Sequence, residues 1–301
     1  MARLLVWYGE LTTGSSLARR GFLLLLPGLA WLLAFLLLPG LLLIPLSFAE
    51  RGAFGEVVWT FSLVNYHRLL GFGILGFSLD NLMALLRTLW VAFWTTLICV
   101  LLAYPIAFFI RAQPASRRYL FLALVIIPFW TNLVIRTYAW QLLLAPEMPL
   151  ARLLAALGLV EPGMALFPSA FAVYVGMVSA FLPFMVLPLY SSVERLDQSL
   201  VEAVQDLYGS PWRTFVHGVL PQTLPGLTVG VILTFIPAMG MFLVPDLLGG
   251  AKYLLVGNLI QQAFYTMRDW PYGAVLSLVL ILLTLLALRL YRRYGKEVGL
   301  A

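Results

Sequence analysis

The 301-residue chain is 62% hydrophobic and only 11% charged, and its mean hydropathy is +0.97. A water-soluble domain with this balance could not cover its own surface with polar groups. The net charge of +6 would suit a nucleic-acid partner, but the placement of the basic residues, described below, explains it without one. The sequence therefore predicts a membrane protein whose surroundings are the lipid bilayer and which binds no nucleic acid.

Six long apolar runs follow one another along the chain, each long enough to cross a bilayer as a helix. A transmembrane β-barrel would instead show alternating segments of about ten residues. The first run exceeds the roughly 7–15 apolar residues of a signal peptide, so we interpret it as an uncleaved span. We predict an all-α polytopic protein with about six transmembrane helices. The predicted spans are 21–48, 81–110, 119–145, 167–190, 223–245 and 273–291.

Most of the nineteen lysines and arginines flank these runs on one side. Because basic residues concentrate in cytoplasmic loops, both termini and the loops 111–118 and 191–222 are predicted to be cytoplasmic. The chain then divides into a tail over 1–20, a transmembrane domain over 21–291 and a tail over 292–301. Its single cysteine, Cys99, is interpreted as a small core residue that forms no disulfide within the chain.

The loop 191–222 is patterned like a pair of short helices. Ser199 and Glu202 have the spacing of a capping box, which predicts a helix from Leu200. Gly209 permits a left-handed turn at the end of that helix, because it has no Cβ atom.

A second short helix is predicted directly after this turn. Ser210 suits its N-cap and Pro211 suits its first position, where no amide hydrogen is needed. Its apolar stripe consists of Trp212, Phe215, Val216 and Val219.

Two interpretations of the helical pair stay open. It could lie on lipid as an amphipathic hairpin, or it could be displayed to a protein partner. Glu202 and Asp206 lie one turn apart on the first helix, which carries no lysine or arginine. Acidic groups suit a basic partner surface better than an anionic lipid surface.

The loop also resembles the EAA loop of permease subunits in bacterial ATP-binding-cassette importers. In that loop Glu-Ala-Ala is followed, after three residues, by Gly and, after nine more, by Ile-x-Leu-Pro. Glu202 and Ala203 match the first two positions, and Leu220 and Pro221 match the last two.

The loop departs from the EAA pattern at three positions. Val204 replaces the second alanine, and Gly218 stands where the pattern has isoleucine. Tyr208 occupies the usual glycine position, and Gly209 follows one residue later.

Further segments resemble the spermidine/putrescine branch of these permeases. The first is Pro-Phe-Trp-Thr-Asn-Leu-Val-Ile-Arg-Thr-Tyr-Ala-Trp at 128–140, and the others lie at 247–250, 256–262 and 269–273. Together with the six spans, these segments extend over most of residues 20–290.

The resemblance implies the fold of a type I importer permease in the bacterial inner membrane. In that family the EAA loop forms a coupling helix seated on a cytoplasmic ATPase subunit. The chain has no G-x-x-x-x-G-K-[ST] phosphate loop, so it is expected not to be an enzyme and to bind no cofactor.

The resemblance also implies several partners, and ATP and Mg²⁺ would belong to the ATPase partner. A second permease subunit, sister or identical, and an extracytoplasmic binding protein are the other implied partners. The residues implied in ATPase coupling are Glu202, Ala203, Asp206, Gly209, Ser210, Pro211, Trp212, Leu220 and Pro221.

Candidates for the translocation path come from the third span and the end of the fifth. Phe129, Asn132, Arg136 and Trp140 have the spacing of one helix face. Arg136 should either face the bundle or reach the outer headgroups, because a cation in lipid is costly. The nearby aromatic rings could accept a cation or form an interfacial belt. The candidate residues are Trp130, Asn132, Arg136, Tyr138, Trp140 and Asp246.

Asp246 follows the predicted fifth span and precedes two glycines, so it could lie at a cavity mouth or be a solvated loop acid.

Three other functions are alternatives to polyamine import. A membrane hydrolase lacks support, because the chain has only two histidines and neither an H-E-x-x-H nor a G-x-S-x-G motif, and no metal site is expected. A secondary transporter would commonly show inverted repeats and acids within its spans. An ATP-driven importer of another small solute is the closest alternative to polyamine import.

Overall fold

A computed structural model describes residues 17–73, 76–161, 163–250 and 253–297 of the chain. The predicted tail 1–20 therefore lies largely outside the described residues, whereas residues 292–297 of the predicted tail 292–301 continue the last helix. Within these ranges five helices are long and apolar enough to span a membrane, and a sharply bent helix pair brings the number to six. The predicted all-α fold with about six spans is thus confirmed. The five long helices are α1 (17–47), α3 (Asp80–Ala112), α7 (Ala170–Glu194), α9 (Pro211–Gly240) and α12 (Trp270–Glu297).

Shorter elements connect these helices, and two of the long helices contain a π-helical turn. The turns are Leu33–Leu37 in α1 and Phe215–Val219 in α9, and a third π turn, Gln262–Thr266, follows the short helix Val256–Gln261. Two small antiparallel hairpins pair Glu50–Arg51 with Val57–Val58 and Phe72–Gly73 with Gly76–Phe77. The shorter elements are β1 (Glu50–Arg51), β2 (Val57–Val58), α2 (Val64–Leu69), β3 (Phe72–Gly73), β4 (Gly76–Phe77), α4 (Ala115–Trp130), α5 (Leu133–Leu143), α6 (Pro149–Ala156), α8 (Gln198–Tyr208), α10 (Leu243–Gly249) and α11 (Val256–Gln261).

The third span is broken, so the prediction of one helix over 119–145 is wrong. Helices α4 and α5 meet at an angle of 96°, and Thr131 and Asn132 between them are extended. Two side chains at the break form hydrogen bonds with backbone groups at the ends of the two helices. Thr131 Oγ1 donates to the Pro128 carbonyl (2.6 Å), and Asn132 Oδ1 accepts from the Val134 amide (2.8 Å). These local bonds compete with continued helix, which periodicity alone does not reveal.

Helix α7 lies at the centre of the bundle and packs against α3 and α9. Small residues allow the close approach that helix pairs in membranes require. Cys99 of α3 is fully buried, with its sulfur 4.0 Å from the Val178 carbonyl oxygen of α7, so its interpretation as a core residue is confirmed. On α9, a Cβ atom at Gly226 would collide with the Pro188 carbonyl of α7.

The fifth span differs in its bounds from the predicted 223–245, because α9 runs from Pro211 to Gly240. Asp246 therefore does not follow the span directly. It lies on the separate short helix α10, which packs against α7 and α5.

A polar cluster joins the segment after α1 to the start of α12. The Arg68 guanidinium lies 2.8 Å from the buried Asp269 carboxylate and 4.3 Å from the centre of the Tyr272 ring. Asn65 is also buried and donates to the carbonyls of Ser47 and Ala49. These contacts hold the segment after α1 against the start of α12. They lie at the end of the bundle opposite α8, and we call this end the far side.

Candidate coupling site and translocation path

Helix α8 is capped by Asp197 and not by Ser199. The Asp197 carboxylate accepts from the Ser199 hydroxyl (2.7 Å) and from the Ser199 amide (2.9 Å). These two bonds hold the pKa of Asp197 below its usual value. The predicted capping box of Ser199 and Glu202 is therefore wrong, because Ser199 already lies inside the helix. The predicted C-terminal turn is confirmed, since Gly209 has a φ of +61°.

Pro211 begins the next helix, as predicted, and Ser210 precedes it in extended conformation. Ser210 makes no side-chain capping bond; its carbonyl accepts from the Thr214 amide (2.9 Å). The predicted separate second helix is wrong, because the chain continues through the π turn into the fifth span. The wider π turn keeps the chain helical where Pro221 has no amide hydrogen to donate. Between α7 and α9, only the linker 195–197 and residues 209–210 are non-helical.

One face of α8 packs on α9 and the other is open. Val201 and Val204 face Gly218 of α9. Glu202 and Asp206 are exposed on the open face, together with Leu200.

The other residues expected at the coupling site divide by exposure. Ser210 and Leu220 are half-buried. The exposed ones are Ala203, Gly209, Pro211, Trp212 and Pro221, and the side chain of Leu207 is exposed beside them.

Two residues that the sequence interpretation missed hold the linker. Gln222 of α9 accepts from the Asp197 amide through Oε1 (2.9 Å) and donates to the Gly218 carbonyl through Nε2 (2.8 Å). Arg111, in the last turn of α3, donates to the Leu196 carbonyl (3.1 Å). A polar side chain directly after Leu-Pro at the head of an apolar span was the available signal for Gln222.

The fourth span is tied to α4, the first arm of the third span, at the same end of the bundle. The Glu194 carboxylate accepts from the Tyr190 hydroxyl (2.9 Å) and lies 3.6 Å from the Arg118 guanidinium. The end of α7, where the linker begins, is therefore held within its own last turn by Tyr190 and from α4 by Arg118.

Arg136 turns back across the break in the third span. Its guanidinium Nη1 donates to the Pro128 carbonyl (2.9 Å), which satisfies a carbonyl at the end of α4. Its Nε atom is buried without a hydrogen-bond partner among the described residues. Because α4 ends before Asn132, the predicted single face of Phe129, Asn132, Arg136 and Trp140 is wrong.

The remaining path candidates have unequal surroundings. Trp130, at the end of α4, is 82% exposed, and Tyr138 is 51% exposed. Trp140 is half-buried and donates to the Ser179 hydroxyl of α7 (2.9 Å). Asp246 is exposed, and α10 is attached to α5 by a bond from Gln141 to the Leu247 carbonyl (2.6 Å). The structure thus places α10, which carries Asp246, beside the second arm of the third span.

These features define a polytopic helical membrane protein that displays a short helix between its fourth and fifth spans. The chain belongs to the family of binding-protein-dependent transport system inner membrane components, which matches residues 104–299. It is therefore a multi-pass protein of the inner membrane.

Similar proteins are known from several bacteria. The spermidine/putrescine transport system permease protein PotB of Escherichia coli (strain K12) is 42% identical over 268 residues, with 88% of this chain and 94% of PotB covered. PotB of Haemophilus influenzae is 38% identical, with 89% and 91% covered. Among solved structures, a bacterial ABC transporter involved in the import of the acidic polysaccharide alginate has a chain that matches with a TM-score of 0.64. The match has 16% identity and covers 90% of this chain and 94% of that one, so it supports the fold alone.

Proposed function

We propose that the chain is a permease subunit of an ATP-driven importer of polyamines such as spermidine and putrescine. It forms half of the translocation path together with a second permease subunit, sister or identical. It receives its solute from an extracytoplasmic binding protein and couples to separate cytoplasmic ATPase subunits, which bind ATP and Mg²⁺. The observation that carries the proposal is the exposed face of α8 in a chain 42% identical to a spermidine/putrescine permease.

The open face of α8 supports docking to a protein. It combines the carboxylates of Glu202 and Asp206 with exposed apolar side chains at Leu200 and Leu207, and Trp212 is exposed in the first turn of α9. An ATPase groove with an apolar floor and a basic rim would complement this face. In this assignment α8 is the coupling helix, and both termini lie on its side, in the cytoplasm.

The far side supplies the candidates for passage of a cation. Asp246 is exposed on α10, next to α5, and the Trp130 and Tyr138 side chains are exposed on the two arms of the broken span. A carboxylate and aromatic faces are the groups that attract an organic ammonium ion. Arg136 at the same break would limit how closely a second cation approaches.

The test is solute-stimulated ATP hydrolysis by the complete complex in proteoliposomes. The chain is assembled with its ATPase, its second permease and its binding protein. The binding protein is loaded in separate experiments with putrescine, spermidine, an amino acid or an inorganic oxyanion. We expect stimulation and uptake with the polyamines. Stimulation by another solute with none by either polyamine would overturn the substrate assignment. Failure of the chain to retain the ATPase would overturn the assigned coupling role.

A further inference from the structure

The linker before α8 is held by side chains from two spans that are remote from it in sequence. Gln222 lies 25 residues after Asp197, and Arg111 lies 85 residues before Leu196. Their bonds reach a backbone amide and a backbone carbonyl of adjacent linker residues. The linker cannot move away from α9 and α3 without breaking these bonds or taking their side chains along.

Gln222 makes bonds that fix its orientation. A backbone amide can only donate, so Oε1 must face the Asp197 amide and Nε2 must face the Gly218 carbonyl. Nε2 also lies 3.5 Å from the Asp197 carbonyl. One side chain therefore joins the cap of α8 to the π turn of α9.

Both clamping residues belong to helices that contact each other next to the clamp. Thr223, directly after Gln222, is fully buried, and its hydroxyl lies 2.9 Å from the Tyr104 hydroxyl of α3. Phe215 of the π turn packs edge-on against the same tyrosine ring. A displacement of Asp197 is thus applied to α9 and α3 at one place.

A pocket that is open to the surface separates α8 from the end of α3. Its volume is about 410 Å³, and its lining includes Phe108, Arg111, Leu196, Val201 and Val219. Because α8 and α3 are not close-packed across this pocket, the hydrogen bond from Arg111 ties the linker to α3 where side-chain packing does not.

We infer that Gln222 and Arg111 are positioning residues that carry the displacement of α8 into the fifth and second spans. The inference rests on the proposed coupling of α8 to an ATPase. Two hydrogen-bonding side chains, and not the ATPase contact itself, then transmit the movement of α8 to the spans.

The test compares Gln222→Leu with Gln113→Leu in the complete reconstituted complex. Gln113 is a half-buried residue just beyond the end of α3, and its side-chain amide donates to the Phe109 carbonyl, four residues earlier, in a hydrogen bond at the protein surface. The measured quantity is spermidine transported per ATP hydrolysed, with ATPase content and thermal stability of the complex recorded alongside. For Gln222→Leu we expect that ratio to fall about tenfold at unchanged ATPase content, the order expected for loss of one or two hydrogen bonds to backbone groups. Gln113→Leu should keep the wild-type ratio.

Two further variants keep the test decisive if Gln222→Leu does not assemble. Gln222→Glu retains the acceptor for the Asp197 amide, so it should lose less of the ratio than the leucine variant. Arg111→Gln removes the bond to the Leu196 carbonyl and should lower the ratio in the same direction. Wild-type ratios in Gln222→Leu, or in both of these variants, would overturn the inference. A wild-type complex without any ATPase stimulation by spermidine-loaded binding protein would instead contradict the proposed function.

Discussion

Val204 and Gly218 face each other across the contact between α8 and α9. A Cβ atom placed on Gly218 would lie 3.4 Å from the Val204 Cβ and 3.5 Å from the Val201 Cα. These two residues are two of the chain's departures from the EAA pattern. Compared with the EAA pattern, α8 carries a larger residue at Val204 and α9 a smaller residue at Gly218. The Val204 side chain therefore fills space that isoleucine would occupy at position 218.

This relationship predicts a compensating pair of substitutions. Gly218→Ile alone should overpack the contact and destabilise the α8–α9 hairpin by about 1–3 kcal/mol. Val204→Ala in the same chain should recover most of that loss, because it removes the side chain that the new isoleucine meets. Thermal unfolding of the purified protein, with each single and the double variant, measures the coupling. Strict additivity of the two changes would contradict the packing argument.

Glu202→Lys should weaken docking of the ATPase without affecting insertion in the membrane. The side chain is exposed and has no structural bond among those described, so the change acts on the partner and not on the fold. We expect co-purified ATPase and uptake to fall about fivefold to tenfold, as for loss of a favourable interfacial charge. Glu161→Lys, also exposed but on the far side, is the charge-matched control. Normal ATPase content and normal uptake would remove Glu202 from the interface.

Asp246→Asn should slow polyamine uptake while the complex assembles normally. The substitution keeps the size of an exposed side chain and removes one negative charge near the candidate entrance. We expect a rise in the polyamine concentration needed for half-maximal uptake, and a smaller effect at high salt because exposed charges are screened. The measurement is uptake in proteoliposomes at two ionic strengths. Glu147→Gln, an exposed acid that pairs with Arg152, is the control. If Asp246→Asn transports like the wild type, Asp246 is an ordinary solvated acid.

Arg68→Met should destabilise the far side more than any other single change discussed here. It would leave the buried Asp269 carboxylate without its cation. Breaking a fully buried pair costs about 3–5 kcal/mol, which is the upper bound here because the Arg68 side chain is 31% exposed. Arg68→Met combined with Asp269→Asn should cost less than the single change, because no charge is then stranded. Chemical unfolding in detergent compares the two. Equal stability of the single variant and the wild type would show that water reaches Asp269.

Features that depend on neighbouring residues could be predicted from the sequence. Apolar run length identified the spans, and the missing Cβ of Gly209 and the missing amide hydrogen of Pro211 identified the turn after α8. Each of these follows from one residue or one stretch of chain.

Features that depend on competition or on distance could not be predicted. At the break in the third span, the Thr131 and Asn132 side chains form hydrogen bonds with backbone groups and so compete with the hydrogen bonds of a continuous helix. The pattern of apolar residues does not report this competition. Asp197 outcompeted Ser199 as the cap because it precedes it by two residues and bonds both its amide and its hydroxyl. The clamps by Gln222 and Arg111 join residues far apart in the chain, and only packing of α3, α7 and α9 brings them together.

The continuity of α9 from Pro211 to Gly240 changes the mechanical character of the segment after α8. Thirty helical residues form a rod about 45 Å long. A sideways shift of about 4 Å at its foot tilts such a rod by about 5° if the other end stays fixed. The segment after α8 and the fifth span therefore tilt as one rigid body, so that a push at the foot of α9 moves the span within the membrane without any helix unwinding.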